Sequence, residues 1–136
     1  VHARCIVLWG VNPAATSIHT LQHVQAARRA GAFVIVVDPR RTRTARIADL
    51  HLRPRPGTDA AVALGVARLL FERGLADTDF LAAHATGVDE FRTAAAVWTP
   101  ERVAQVSGVA AADLDAFARA WAAASPAVLR CGWGLE

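Results

Sequence analysis

The chain has 136 residues, 54% apolar and 20% charged, with a net charge of +3 and a pI of about 10.1. That length fits one domain burying about two-thirds of its unfolded surface, and no apolar run approaches the roughly 18 residues of a membrane span. All 15 cationic side chains are arginine, which suits forked contacts to carboxylate or phosphate better than the mixed Lys/Arg surface of general nucleic-acid binders, although a coding bias toward Arg and Ala gives the same composition.

Arg4 to Trp9, RCIVLW, is a continuous apolar run closed by Gly10, the pattern of a strand covered on both faces. After the loop GVNPAATS, Ser17 is placed to cap a helix whose apolar positions Leu21, Val24, Ala27 and Ala30 recur at helical spacing until Gly31 stops it. AFVIVV, residues 32–37, is a second strand, so the chain opens with a β-α-β unit. Its crossover is expected to be right-handed and its strands parallel, which makes Gly10 and Asp38 neighbours at one sheet edge. A third short strand is expected at Leu50 to Leu52, followed by RPRPGTD. Val62, Leu64, Val66, Leu69 and Leu70 predict a helix from Asp59 to Arg73, ended by Gly74. The remainder to Ser125 reads as short helices: Asp77 caps one, and Thr99 with Pro100 starts another that Gly108 closes. ADLDAFARAWAAAS adds a longer helix packing Leu114, Phe117 and Trp121, and Pro126 ends it before a last strand, AVLRC, and the turn GWG. The expected fold class is α/β, a Rossmann-like open parallel sheet flanked by helices with a helix-rich C-terminal half, forming a single domain over residues 1–136.

Ligands of open parallel sheets sit outside the carboxyl ends of the strands. Three unusual stretches fall there: Gly10-Val11-Asn12-Pro13, Asp38-Pro39-Arg40-Arg41-Thr42 and Pro56-Gly57-Thr58-Asp59. A glycine after a strand allows close approach of backbone to ligand, and a nearby helix N-terminus offers N–H groups to a pyrophosphate between Gly10 and Ser17. The stretch is not a G-x-G-x-x-G fingerprint. An acid ending the second strand, Asp38, is placed to accept from ribose hydroxyls, with Arg40 and Thr42 adding a guanidinium fork and a hydroxyl. The plainer alternative is a turn in which Asp38 and Pro39 end the strand and the arginines form a solvated rim. One carboxylate can accept both N–H groups on guanine's Watson–Crick edge, a pairing adenine cannot reproduce, and Asp59 is placed to do so. Here the alternative is that Thr58 or Asp59 simply starts a helix.

The ordered set W-G-x-N-P, D-P-R-x-T-x-T-A, A-D-x-H-L, R-P-G-T-D-A-A, T-P-E-R-V and G-V-x-x-x-D-L resembles the molybdopterin oxidoreductases of the dimethyl-sulfoxide-reductase type, over essentially the whole chain. The resemblance implies a large enzyme whose molybdenum or tungsten is held by two molybdopterin guanine dinucleotides, with this segment holding the nucleotide part of one. It implies that Gly10 and Asn12 match the phosphate-proximal turn and that Asp38, Arg40 and Thr42 match ribose and phosphate contacts. Gly57 with Asp59 matches the guanine-reading turn, and Gly132 and Gly134 a later glycine turn near the pterin. Implied partners are the remaining domains of the parent enzyme and an electron-transfer subunit, with no nucleic acid and no membrane contact by this segment. A formate-dehydrogenase-like activity is the default for the parent. A cytoplasmic location is expected ahead of a periplasmic one, any targeting signal lying outside the segment.

No catalytic or metal-ligating residue is assigned to this segment. The family's metal ligand, and an iron–sulfur cluster if the parent has one, come from other segments. Cys5 and Cys131 match no metal-ligand motif and read as buried thiols within apolar runs. His19 and His23 lie four apart on the first helix, but no third ligand has suitable spacing. Among the four tryptophans, Trp98 and Trp121 read as packing, whereas Trp9 and Trp133 lie near enough to the edge to stack on a base. Two other classes stand beside the first reading. A nucleic-acid module would need a groove-reading helix or aromatics interleaved with the basic residues between Arg40 and Arg55, and neither is present. A nucleotide-binding or structural domain of another enzyme, such as the middle domain of a thiamine-diphosphate enzyme, has a similar sheet, but the R-P-G-T-D turn argues against it.

Overall fold

The computed structural model describes residues 2–133. Four parallel strands lie side by side in the order β3-β2-β1-β4: β1 Cys5–Trp9, β2 Phe33–Val37, β3 Leu50–Leu52 and β4 Ala127–Cys131. β1 is central and buried along its whole length, which is why its sequence is continuously apolar rather than alternating.

The pleat sends alternate residues to two separate cores. Cys5, Val7, Trp9, Ile35 and Val37 face one side with Leu52, where α3 (Asp59–Glu72), α6 (Pro100–Ser107) and α7 (Ala111–Ala122) contribute Val62, Leu69, Val103, Leu114 and Phe117. Ile6, Leu8, Val34 and Val36 face the other side, packed on Val24 and Ala27 of α2 (Ile18–Arg29). This is the helix–sheet–helix layering expected of an open parallel sheet.

α3 approaches α6 and α7 closely at Gly65, where a Cβ would lie 2.6 Å from Val103 Cγ2 and 3.0 Å from Leu114 Cδ2. Two of the predicted caps form: Asp77 accepts from the Phe80 amide at 3.0 Å, opening α4 (Thr78–His84), and Thr99 accepts from the Arg102 amide at 3.2 Å. α5 (Val88–Ala96) completes the helical half.

Three expectations are corrected. The loop after β1 contains a short helix, α1 (Pro13–Thr16), because Pro13 presets the first helical φ. Ser17 stands at the start of α2 but does not cap it through an amide; its hydroxyl pairs instead with Thr20 Oγ1 at 2.7 Å. Cys131 is exposed, because β4 is an edge strand whose Val128 and Leu129 are 47% and 42% exposed. Cys5 is buried as expected, and burial pushes its thiol up to about 11, leaving it protonated and unreactive.

Candidate functional site at the strand ends

β1 has β2 and β3 on one side and β4 on the other, so the sheet order reverses between β1 and β4. Such a reversal leaves a crevice at the carboxyl edge where ligands of open sheets sit. Backbone hydrogen bonds gather distant turns at this edge. The Gly10 amide donates to Val37 O at 2.8 Å, the Asp38 amide to Leu52 O at 3.0 Å and the Gly132 amide to Trp9 O at 2.9 Å. Gly10 has φ +62°, and a Cβ on Gly132 would lie 2.1 Å from Gly10 O. The two turns therefore meet backbone to backbone, and only glycine fits at position 132.

The first turn is fixed by a residue that the sequence reading passed over. Thr44, fully buried, donates its hydroxyl to Asn12 Oδ1 at 2.6 Å and accepts the Ala14 amide at 3.1 Å. The Ala15 and Thr16 amides go to Asn12 O, and Pro13 has no N–H. The N-terminus of α1 therefore offers no amide to a ligand. Among the described residues the Val11 and Asn12 amides, ahead of the helix, take no partner.

In the second turn Asp38 is almost fully buried, its Oδ1 accepts the Arg40 amide at 2.8 Å, and its carbonyl meets His51 Nε2 at 2.9 Å. Half of the carboxylate thus holds the turn, as the plainer alternative anticipates, while Oδ2 takes no partner among the described residues. Thr42 Oγ1 accepts the Ala45 amide at 3.1 Å and starts a 3-10 turn over Ala45–Ile47. Arg40, Arg41 and Arg43 are exposed, and none pairs with a carboxylate among the described residues.

The third turn reaches the same edge through one contact. Trp9 donates its indole N–H to Asp59 Oδ1 at 2.7 Å. Thr58 is not a side-chain cap, since its hydroxyl donates to Arg55 O at 2.6 Å. Gly57 turns the chain at φ +81° and is exposed with nothing near it. Trp9 does not offer a face for stacking: it is 6% exposed and its ring packs on Phe117, centroids 6.1 Å apart. Trp133 is 87% exposed at this end of the sheet, and Gly134 lies outside the described residues.

Glycine amides, hydroxyls, guanidinium forks and carboxylates form a donor and acceptor set suited to phosphate, ribose and base. The turns of Gly10 and Gly132 meet backbone to backbone beside the Val11 side chain, and the donors and acceptors around them fit the nucleotide arm of a pterin dinucleotide. Among the described residues no three His, Cys, Asp or Glu side chains gather as a metal-binding group, and none of their helices is long and apolar enough to cross a membrane. A cavity of about 510 Å³ lies at the opposite, amino end of β2, beside the Arg28–Asp49 pair, far from these turns.

An open parallel α/β sheet with a glycine crevice and an arginine row at its carboxyl edge defines the class. The particular family follows from comparison: the profile described as "Molybdopterin oxidoreductase" matches residues 1–135, and the chain belongs to that family. It is 35% identical over 136 residues to the "Probable oxidoreductase YoaE" of Bacillus subtilis (strain 168), covering 100% of this chain and 20% of that protein. It is 35% identical over 130 residues to formate dehydrogenase H of Escherichia coli (strain K12), covering 96% and 18%. The solved structure of acetylene hydratase from Pelobacter acetylenicus superposes with a TM-score of 0.88 at 29% identity, covering 95% of this chain and 18% of that one. The chain thus spans about a fifth of the length of the curated relatives it matches.

Proposed function

We propose that this chain is a single domain holding the guanine dinucleotide part of one molybdopterin cofactor in a larger molybdenum or tungsten oxidoreductase of formate-dehydrogenase type. The observation that carries the reading is the convergence of sequence-distant turns on one sheet edge, with Gly10 against Gly132 and Asp59 tied to Trp9. The metal held by the pterins supplies the redox chemistry of the parent. The residues described here bind and orient. Gly10 and Asn12 line the pyrophosphate path with backbone groups. Asp38 keeps Oδ1 on the Arg40 amide and offers Oδ2 to a ribose hydroxyl. Arg40 reaches the phosphates with its guanidinium, and Thr42 can donate its hydroxyl hydrogen there while its oxygen holds Ala45. Gly57 and Asp59 receive the guanine, and Gly132 with Gly134 approaches the pterin end.

Formate is assigned to the parent because formate dehydrogenases of Escherichia coli and Methanococcus maripaludis stand among the relatives. The metal ligand, any iron–sulfur cluster and the docking of an electron-transfer subunit then belong to the rest of the parent, and a cytoplasmic location fits such a partner. The test is the purified full-length parent: acid hydrolysis should release guanine nucleotide and no other, and the enzyme should reduce an acceptor dye with formate. Asp38→Asn should lower the guanine content without changing the base. Release of adenine or cytosine nucleotide, or full cofactor content in a folded Asp38→Asn, Asp59→Ala double variant, would overturn the cofactor placement. Inactivity toward formate with normal cofactor content would overturn the substrate alone.

A further inference from the structure

We infer that Trp9 is a positioning residue that sets the base selectivity of Asp59, an inference that rests on the guanine placement proposed above. Trp9 closes β1 and lies in register between Val37 of β2 and Cys131 of β4. It is 6% exposed, and its ring is held against Phe117. An indole has one polar group, a donor, and at this burial water does not satisfy it. The Asp59 carboxylate does, at 2.7 Å.

The consequence reaches the other side of the carboxylate. An aspartate in a half-buried turn rotates about its last torsion with little preference, so its two oxygens are interchangeable and its plane is undefined. A donor fixed in the sheet removes that freedom. The Trp9 N–H takes one lone pair of Oδ1, leaving the second lone pair of Oδ1 and both of Oδ2 for a ligand. Guanine presents two adjacent donors, the ring N–H and the exocyclic amine, and needs both oxygens coplanar with the base to use them together. Hypoxanthine keeps the ring N–H and lacks the amine, so a freely turning carboxylate binds it nearly as well. A carboxylate held in one plane does not. Selectivity for the amine therefore resides in the Trp9–Asp59 contact and not in Asp59 alone, whereas a contact that only tied α3 to the sheet would alter stability and leave selectivity untouched.

The experiment uses the full-length parent prepared without cofactor, with GDP, IDP and ADP as probes and calorimetry as the readout. The unaltered enzyme should prefer GDP over IDP by about tenfold or more, the worth of one charge-assisted hydrogen bond. Trp9→Phe keeps an aromatic ring and deletes the donor, and should reduce that preference to about twofold while ADP binding stays where it was. Replacing Trp9 by 3-benzothienylalanine, which exchanges N–H for sulfur within nearly the same outline, should give the same loss and decides the matter if Trp9→Phe does not fold. If both variants fold and keep the GDP/IDP ratio while Asp59→Asn abolishes it, the contact is only a structural tie and the inference on Trp9 fails. If Asp59→Asn itself leaves the ratio intact, the guanine placement fails instead.

Discussion

The hydroxyl of Thr44 donates to Asn12 Oδ1 across 2.6 Å, although the two residues stand 32 positions apart. With the Ala14 amide donating to the same oxygen, the hydroxyl joins the turn after β1 to the arginine row after β2. One fully buried side chain thereby sets the relative position of two of the proposed contact regions.

Thr44→Val keeps the shape and removes the hydroxyl, leaving Asn12 Oδ1 without a donor and the Ala14 amide without an acceptor. The expected cost is about 1–3 kcal/mol of stability, seen as a lower melting temperature of the full-length enzyme, with cofactor content falling as well. Thr44→Ser should restore both.

At Asp59 the two obvious substitutions differ in kind. Asp59→Ala orphans the buried Trp9 N–H as well as the ligand side, so it should weaken guanine dinucleotide binding by about 2–4 kcal/mol and also lower the melting temperature. Asp59→Asn keeps an acceptor for Trp9 and turns a donor toward the base, where it opposes guanine's amine and matches the C2 carbonyl of xanthine. Binding of GDP should fall by about tenfold or more and that of xanthosine diphosphate should rise above it. Equal preference for the two in Asp59→Asn would contradict the proposed edge-on pairing.

Gly132 and Gly57 make a contrasting pair. A methyl group at Gly132 would lie 2.1 Å from Gly10 O and 2.9 Å from Gly10 C, backbone atoms held by the sheet, so Gly132→Ala should cost about 3 kcal/mol or more and separate the ends of β1 and β4. At Gly57 nothing lies within 4 Å, and Gly57→Ala meets only the strain of φ +81°, about 1–2 kcal/mol. Thermal melts of both variants test the ranking.

Acid sensitivity is expected at the far edge of the sheet. Asp49 accepts from Arg28 Nη2 at 2.7 Å and from the Val34 amide at 2.9 Å. Partial burial pushes its carboxyl up, but these bonds and the Arg28 charge outweigh it and hold the group below the usual carboxylate range. A carboxyl depressed in the folded state stabilises above its unfolded value, near about 3.9, and loses that contribution as pH falls through its folded value. The Arg28 side chain is 45% exposed, so the ion pair is worth under about 1 kcal/mol. Asp49→Asn should melt slightly lower than the unaltered chain at neutral pH, and the gap should close below about pH 4.

The isolated segment is expected to fold and to show no redox activity with formate, nitrate or sulfoxides. It is also expected to self-associate along β4, whose Val128 and Leu129 stand exposed on an edge strand. Light scattering at high concentration should give a mass above the monomer, and a charged residue at Leu129 should return it to one.

β1 and β2 were legible because burial on both faces leaves an unbroken apolar run, and each lies within one residue of expectation; β3 and β4, at the borders of the sheet, fall where the sequence places them. Helix ends at Asp77, Thr99 and Gly108 were legible for local reasons, each depending on neighbours within one turn. What stayed hidden depends on contacts between distant residues. Nothing in the sequence around Thr44 says that its hydroxyl meets Asn12, and nothing around Trp9 says that its N–H rather than its face serves the edge. The exposure of Cys131 was equally hidden, since an apolar strand reads the same in the middle of a sheet and at its border.

The placement of β4 bears on when the crevice comes into being. β1 is the first strand of this segment to leave the ribosome, whereas the strand that closes its other side is among the last parts of the segment to do so. Until then Gly10 has no Gly132 to meet, and β1 can pair only with β2. A nascent chain thus carries the arginine row and the acid of the second turn before it possesses the cleft between β1 and β4. The architecture imposes an order on maturation, in which synthesis runs past residue 132 before the cleft is whole, and the cofactor loading proposed above comes afterwards.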